Sequence, residues 1–283
     1  MELYQYSFAG LSVALRTPLP LRLTEESAPF LHLGAEDFPF DHEIILSPCD
    51  TLPPCPQDTL TVLDNTYARK PDGMGLVYHA LFPGEEPVVM VEDQPGKTLV
   101  HYLPAGESWA TETFGLMNLI ELDNLLLCHN RLMLHASFIS WQGQGILFSA
   151  PSGTGKSTQA DLWEKYQKAQ IVNGDRAGLS QKDGQWYAHG LPFSGSSRIF
   201  RKESAPLRLL VCLSQGKENV ATRLSPVEAL RRLFPEVNLR RWDESSVTRA
   251  TGLLMELIGE VPVYHLSCRP DEEATEVIRK LLE

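Results

Sequence analysis

The sequence predicts an α/β protein in two parts: a smaller β-rich N-terminal part, residues 1–108, and an α/β domain with a mixed sheet, residues 109–283. Three observations carry this expectation. Residues 1–110 read as short apolar runs between turn dipeptides, whereas the rest alternates strand-like and helix-like stretches. The formal net charge of −11 lies wholly in the first part: residues 1–110 hold 5 basic and 16 acidic side chains, and residues 111–283 hold 20 of each. Of 20 prolines, 13 precede residue 111. A composition that changes at one boundary indicates two parts with different work.

Composition also excludes several classes. A hydrophobic content of 43% argues against wholesale disorder. Net acidity argues against a nucleic-acid binder, which needs a basic face to displace counterions. No apolar run approaches the roughly 18–20 residues of a membrane span, and the most apolar stretch, 116–128, is interrupted by Glu121 and Asp123. Residues 1–10 lack a basic segment followed by an apolar core, so the expected location is the cytoplasm. The five scattered cysteines (49, 55, 128, 212, 268) are expected to be reduced thiols.

In the first part, candidate strands lie at 11–15, 43–46, 60–63, 76–81, 87–91 and 98–103. Pro53-Pro54, Asp72-Gly73, Pro83-Gly84 and Pro95-Gly96 supply turns. The pattern predicts a small antiparallel β unit with no motif of nameable chemistry, and its acidity suits selection of a partner or a basic peptide. Residues 109–130 then predict one helix of about five turns with Thr111 as N-cap. Strands follow at 132–140 and 145–149, joined by the turn at 142–145. A helix at 155–166, a strand at 170–172 and a hairpin at 182–184 come next. The strand at 207–213 has a short candidate neighbour at 219–223. Helices at 226–233, 245–258 and 271–282 enclose a strand at 261–266. Asp243 is expected to cap the second of these helices, and Pro270-Asp271 to open the third.

The strongest motif is Ala150-Pro151-Ser152-Gly153-Thr154-Gly155-Lys156-Ser157-Thr158, between a predicted strand and a predicted helix. Phosphate oxygens need closely spaced donors, and successive backbone N–H groups from Ser152 through Thr158 supply them. Gly153 and Gly155 let the backbone turn and approach without a Cβ in the way. The helix start adds its positive end. Lys156 is placed to reach terminal phosphates, and the Ser157 hydroxyl to ligate Mg²⁺. The first position is Ala150 where the usual pattern has Gly. The loop predicts binding of a nucleoside triphosphate.

Its neighbours leave alternatives open. Asp175 stands 18 residues after Ser157. A parallel neighbour of the loop's strand would bring it beside the phosphates, to hold Mg²⁺ or to accept a proton; otherwise it caps its own turn. Arg176 either stabilises transferred phosphate charge or pairs with a surface acid. His135, on the strand paired to the one entering the loop, either faces the terminal phosphate or is a satisfied core residue. The segment 190–197 precedes Arg198, Arg201, Lys202 and Arg208, four bases in eleven residues. With Ser196, Arg198 and Arg201 as candidate contacts, it is either an anionic-substrate site or a solvated loop.

These residues, 134–175 above all, resemble the C-terminal domain of HPr kinase/phosphorylase, which shares its P-loop fold with phosphoenolpyruvate carboxykinases. The strand His135, the hairpin into Ala150–Ser157, the short helix and the Asp175-Arg176 turn carry the resemblance, which runs on more loosely to residue 283. It implies a P-loop kinase domain of mixed sheet that uses ATP and Mg²⁺. Lys156 and Ser157 would serve phosphate and metal, with His135 and Asp175 flanking the transferred group. It also implies a homo-oligomer. Two departures stand out. Gly174 occupies the place of the first of two adjacent acids, and 190–197 lies where the family's HPr-recognition signature is expected, with different chemistry. HPr is therefore set aside as substrate, in favour of a peptide or protein serine or a small alcohol. Two readings follow. One is an ATP-dependent kinase with Lys156, Asp175, His135 and Arg176 in the transfer site. The other, favoured by Gly174, is a nucleotide-binding sensor or partner-docking protein without catalysis. Carboxykinase chemistry on a small acid ranks third.

Overall fold

The computed structural model describes residues 1–33, 38–62, 65–69, 75–193 and 195–283. The expected Asp72-Gly73 turn, Leu63 at the end of the expected 60–63 strand, and Ser194 lie outside these residues. The chain is α/β with two mixed sheets, and it divides into two compact units. One comprises Met1–Ser7 and Leu11–Leu122; the other comprises Phe8–Gly10 and Asp123–Glu283.

The first unit is built on a sheet of nine strands among the described residues. They are β1 (Glu2–Phe8), β2 (Leu11–Thr17), β3 (Leu31–Leu33), β4 (His42–Pro48), β5 (Thr59–Val62), β6 (Asn65–Arg69), β7 (Gly75–His79), β8 (Val89–Gln94) and β9 (Lys97–Tyr102). Their order is β3-β1-β2-β4-β9-β8-β7-β6-β5. Alternation shapes them: Tyr4, Tyr6 and Phe8 of β1 are buried, as are Ile44 and Leu46 of β4. The sequence pattern missed β1, β3 and β6. The expected antiparallel unit is in fact mixed, because β2 runs parallel to β4 and β4 parallel to β9. Both connections are long enough for a parallel return, which a tight turn is not.

The expected helix over 109–130 is three short ones: α1 (Glu107–Ala110), α2 (Thr113–Leu119) and α3 (Leu122–Cys128). Thr111 ends α1, and Glu112 caps α2 by accepting from the Gly115 N–H at 2.6 Å. Glu121, at φ 47°, interrupts the helix before α3, a conformation no α-helix tolerates.

The second unit contains β10 (Leu132–Trp141), β11 (Gln144–Ser149), α4 (Lys156–Gln167), β12 (Gln170–Asn173), β13 (Arg176–Lys182), β14 (Gln185–Gly190), β15 (Ser204–Gln215), β16 (Val220–Arg223), α5 (Pro226–Leu233), α6 (Glu244–Glu260), β17 (Val263–Cys268) and α7 (Glu272–Arg279). The strand order β11-β10-β13-β14-β15-β17-β16 is joined by a parallel β11–β15 pairing, so the first five strands form a closed circuit. Tight hairpins set the antiparallel registers. Gln142 and Gly143 turn β10 into β11, and Asp183 and Gly184 turn β13 into β14, all four at φ between 50° and 75°. The 219–223 strand pairs with β17 rather than with β15.

Helices cover the sheet with apolar stripes. Ala250, Leu254 and Leu257 of α6 are buried against Leu134, Phe138 and Leu210. Trp163 of α4 is fully buried with Ile139 and Phe148 in a separate cluster, and Trp141 meets its ring edge-on at 5.6 Å between centroids. The helix starts are chemically fixed. Ser225 and Glu228 form a capping box on α5, Asp243 accepts from the Ser246 N–H of α6, and Asp271 accepts from the Ala274 N–H of α7. No helix among the described residues is long and apolar enough to cross a membrane.

Candidate active site

Strand parity decides which β10 side chains can meet the loop after β11. Leu134, Ala136 and Phe138 point to the α5/α6 core, so His135 and Ile139 point to the other face, where Ile139 packs with Trp163 of α4. β11 then delivers the chain from Ser149 into the 150–158 loop. Gly153 at φ 77° and Gly155 at φ 117° make its turns, and Gly155 is the N-cap residue of α4. A Cβ built on either glycine meets no atom within 4 Å, so both face open space.

Ser152, Gly153, Ser157 and Thr158 are exposed, Thr154 and Gly155 half-buried, and Lys156 is buried. The Lys156 ammonium donates to the Ala150 carbonyl at 2.7 Å and the Pro151 carbonyl at 3.4 Å. Burial pushes its pKa below the usual lysine value, opposed by the charges of Glu236 and Asp175. The loop therefore presents backbone, the three exposed hydroxyls of Ser152, Ser157 and Thr158, one lysine and the start of a three-turn helix.

Asp175 reaches this region by another route than a parallel neighbour of β11. β12, which leads to it, pairs antiparallel with β10, and the parallel partner of β11 is β15. The turn after β12 is organised by Asn173, which is fully buried. Its Oδ1 accepts from the N–H groups of Asp175 and Arg176, both at 2.9 Å, and its Nδ2 donates to the carbonyls of Leu191 and Phe193. One amide thus ties the Gly174-Asp175-Arg176 turn to the 191–193 segment. The Ser137 hydroxyl donates to the Gly174 carbonyl, and the Ala136 N–H to the Asp175 carbonyl, fastening the turn to β10.

His135 and Asp175 are thereby brought together, with His135 Nε2 3.8 Å from Asp175 Oδ1. Arg176 Nε lies 3.2 Å from Asp175 Oδ2, and its guanidinium stacks over Phe193 at 4.8 Å. A second acid, which the sequence reading missed, completes the group: His135 Nδ1 is 2.8 Å from Glu236 Oε2. His135, Asp175, Arg176 and Glu236 line a cavity of about 340 Å³, together with Asn238 and Arg241. No signal local to Glu236 marks it, because its partner lies 101 residues away in the chain.

The remaining expected contacts fall differently. Ser196 and Arg198 are exposed, Arg198 at φ 52°, and Arg201 is tethered through Nε to the Ile171 carbonyl at 3.0 Å. None of the three lines the cavity. Their segment nevertheless abuts the site: the 3₁₀ turn Gly195–Ser197 packs so tightly that a Cβ on Gly195 would come within 2.7 Å of the Asp175 carboxyl carbon. Among the described residues no three His, Cys, Asp or Glu side chains gather as a metal cage. Mg²⁺ needs none, since it takes one or two protein oxygens and completes its shell with phosphate and water.

An α/β chain with a glycine–lysine–serine loop at a helix start is the class that fold and site define. No family model and no curated protein matches the chain. Among solved structures it is similar to the HPr(Ser) kinase/phosphatase from Coxiella burnetii, at 13% identity over 53% of this chain and 87% of that one, with a TM-score of 0.31.

Proposed function

We propose that this chain is an ATP-dependent phosphotransferase that moves the γ-phosphoryl group to a hydroxyl acceptor, a peptide or protein serine or a small alcohol. The observation that carries the reading is that the loop leaves β11 at Ser149, whose hydroxyl donates to the His135 carbonyl at 3.0 Å, so Lys156 and its loop start beside the His135–Asp175 pair. The loop amides and Lys156 would hold the phosphates. Ser157 and Asp175, both hard oxygen donors, would hold Mg²⁺, and the open space at Gly153 and Gly155 suits a polyphosphate against the backbone. Bound there, the metal would offset charge on the phosphates.

The acceptor oxygen bonds to the γ-phosphorus as the bond from that phosphorus to the bridging oxygen breaks. The electron pair leaves with ADP, and the hydroxyl proton passes to the Asp175–His135 pair and on to water. Arg176, which lines the cavity, is the cation for the transferred charge.

The test compares ADP release from ATP·Mg²⁺ by wild type and Lys156→Ala, with N-acetylserinamide as hydroxyl probe. Loss of at least roughly 10²-fold is expected, the scale of removing one charge-stabilising donor; equal turnover would end the proposal. A second reading, a nucleotide-binding sensor, draws on Gly174, whose missing side chain leaves the turn with one acid. Tight ATP·Mg²⁺ binding without product, for every hydroxyl offered, would favour it.

A further inference from the structure

Glu236 enters the site from the short 3₁₀ turn Phe234–Glu236 after α5, outside the stretch that supplies the other members. Its side chain is only 9% exposed. The turn is clamped where it stands. Arg241 Nη2 donates to the carbonyls of Phe234, Pro235 and Val237, at 3.3, 2.7 and 2.9 Å, and its guanidinium lies over the Phe234 ring. Val237 forms a bridge with Leu134, and the Asn238 N–H donates to the Met133 carbonyl, which fastens the segment to β10 immediately before His135. A solvated acid would need no such fixture.

We propose that Glu236 is a positioning residue for the phosphoryl transfer: it accepts the Nδ1–H of His135 and so leaves the bare Nε2 turned toward Asp175 and the acceptor hydroxyl. The inference rests on the phosphotransferase reading and deepens it. In a neutral imidazole one nitrogen donates and the other accepts, and a partner on one side decides which. A carboxylate cannot donate, so at 2.8 Å from Nδ1 it selects the Nδ1–H tautomer and fixes the ring plane. The other nitrogen then faces the carboxylate of Asp175 at 3.8 Å. Asp175 is itself held from its far oxygen by Arg176, so neither neighbour of His135 is free to swing. The imidazole becomes a fixed link between an acid that orients it and the acid at the transfer site. The arrangement follows the same logic by which a buried acid orients a catalytic histidine in hydrolases.

The experiment reads the tautomer directly, by ¹⁵N NMR of the full chain labelled at histidine, at mildly alkaline pH and without nucleotide. His135 is assigned from the signal lost in His135→Gln. Wild type is expected in the Nδ1–H form, and Glu236→Ala in the Nε2–H form that an unrestrained histidine favours. Wild type in the Nε2–H form, or no change in Glu236→Ala, overturns the proposal. Turnover supplies a second measurement. Glu236→Ala should lower kcat roughly 10²-fold with KM for ATP within about twofold, the range of general acid–base contributions. Glu236→Gln, whose amide oxygen still accepts from Nδ1–H, should recover much of the loss. A Gln variant as impaired as Ala overturns the positioning role. Failure of the underlying reading is separately visible: it shows as full turnover in Lys156→Ala, whereas wild-type kcat in Glu236→Ala beside an inactive Lys156→Ala removes Glu236 alone.

Discussion

The glycines of the 150–158 loop and those of the neighbouring packed segment do opposite things. A Cβ on Gly153 or Gly155 would meet no atom within 4 Å, and both residues sit at positive φ. A Cβ on Gly174 would come within 2.1 Å of the Ser197 hydroxyl, and on Gly190 within 1.9 Å of the Arg201 carbonyl oxygen. The first pair leaves space beside the backbone, and the second lets protein fill it. Space held open at a helix start suits a ligand; space closed by backbone and hydroxyl holds a turn in place. The proposed reading uses both, an open loop for phosphate and a packed turn that holds Asp175.

The contrast is broken most forcefully at Gly190. Its N–H donates to the Glu203 carbonyl, and it pairs with Ala177 across β13 and β14. Gly190→Ala drives a methyl into a backbone oxygen that cannot swing aside. A loss of more than about 3 kcal/mol is expected, beyond the usual overpacking range because the obstacle is main chain. Urea unfolding measures it, and a variant as stable as wild type would show that the close approach does not hold the segment.

Acid should loosen the same packed region next. His189 of β14 is buried between two hydroxyls, with Nε2 2.8 Å from Ser180 Oγ and Nδ1 2.7 Å from Ser204 Oγ. Burial, with a smaller contribution from the Arg131 charge, pushes its pKa down to about 4. The sign follows from which form the fold prefers. The neutral ring is favoured, so its contribution is fully present above the unfolded value near 6.5 and is lost as pH falls from there toward about 4. The difference corresponds to roughly 3 kcal/mol, at about 1.4 kcal/mol per pH unit. In chemical denaturation across that window, His189→Gln should flatten the slope; an unchanged slope would place the acid sensitivity elsewhere.

What was legible in the sequence follows the same division. The loop could be read because its chemistry is local: strand, glycines, Lys156 and Ser157 are contiguous, and the turns at 142–143 and 183–184 announce their hairpins. His135 and Asp175 were readable as candidates, but their meeting was expected through the wrong strand. β12 returns beside β10, and nothing local to residues 170–175 distinguishes that from a place beside β11. Glu236 was not legible, since its turn is placed by Arg241 and by the edge of β10, neither of which changes the pattern around residue 236. The helix over 109–130 misled for a related reason. Its apolar spacing continues through Glu121, while the backbone there turns left-handed. The first unit's parallel pairings depend on where long connections return, which periodicity does not record.

The smallest expected effect on stability belongs to the open pair, and it separates the two sets most cleanly. Gly155→Ala places a methyl in empty space, so no packing is disturbed. Only the conformational cost of an L-residue at φ 117°, outside the left-handed well, remains, about 1–3 kcal/mol. A thermal melt should therefore move less than for Gly190→Ala. The methyl would stand beside the N–H groups at the start of α4, where the proposed phosphates approach the backbone most closely. Calorimetric titration with ATP·Mg²⁺ should then show affinity weakened by more than about tenfold, the equivalent of 1.4 kcal/mol. Near-native stability with lost binding would mark Gly155 as a ligand glycine. Near-native stability with unchanged binding would mean that the space beside it belongs to no phosphate, and the functional contrast with Gly190 would disappear.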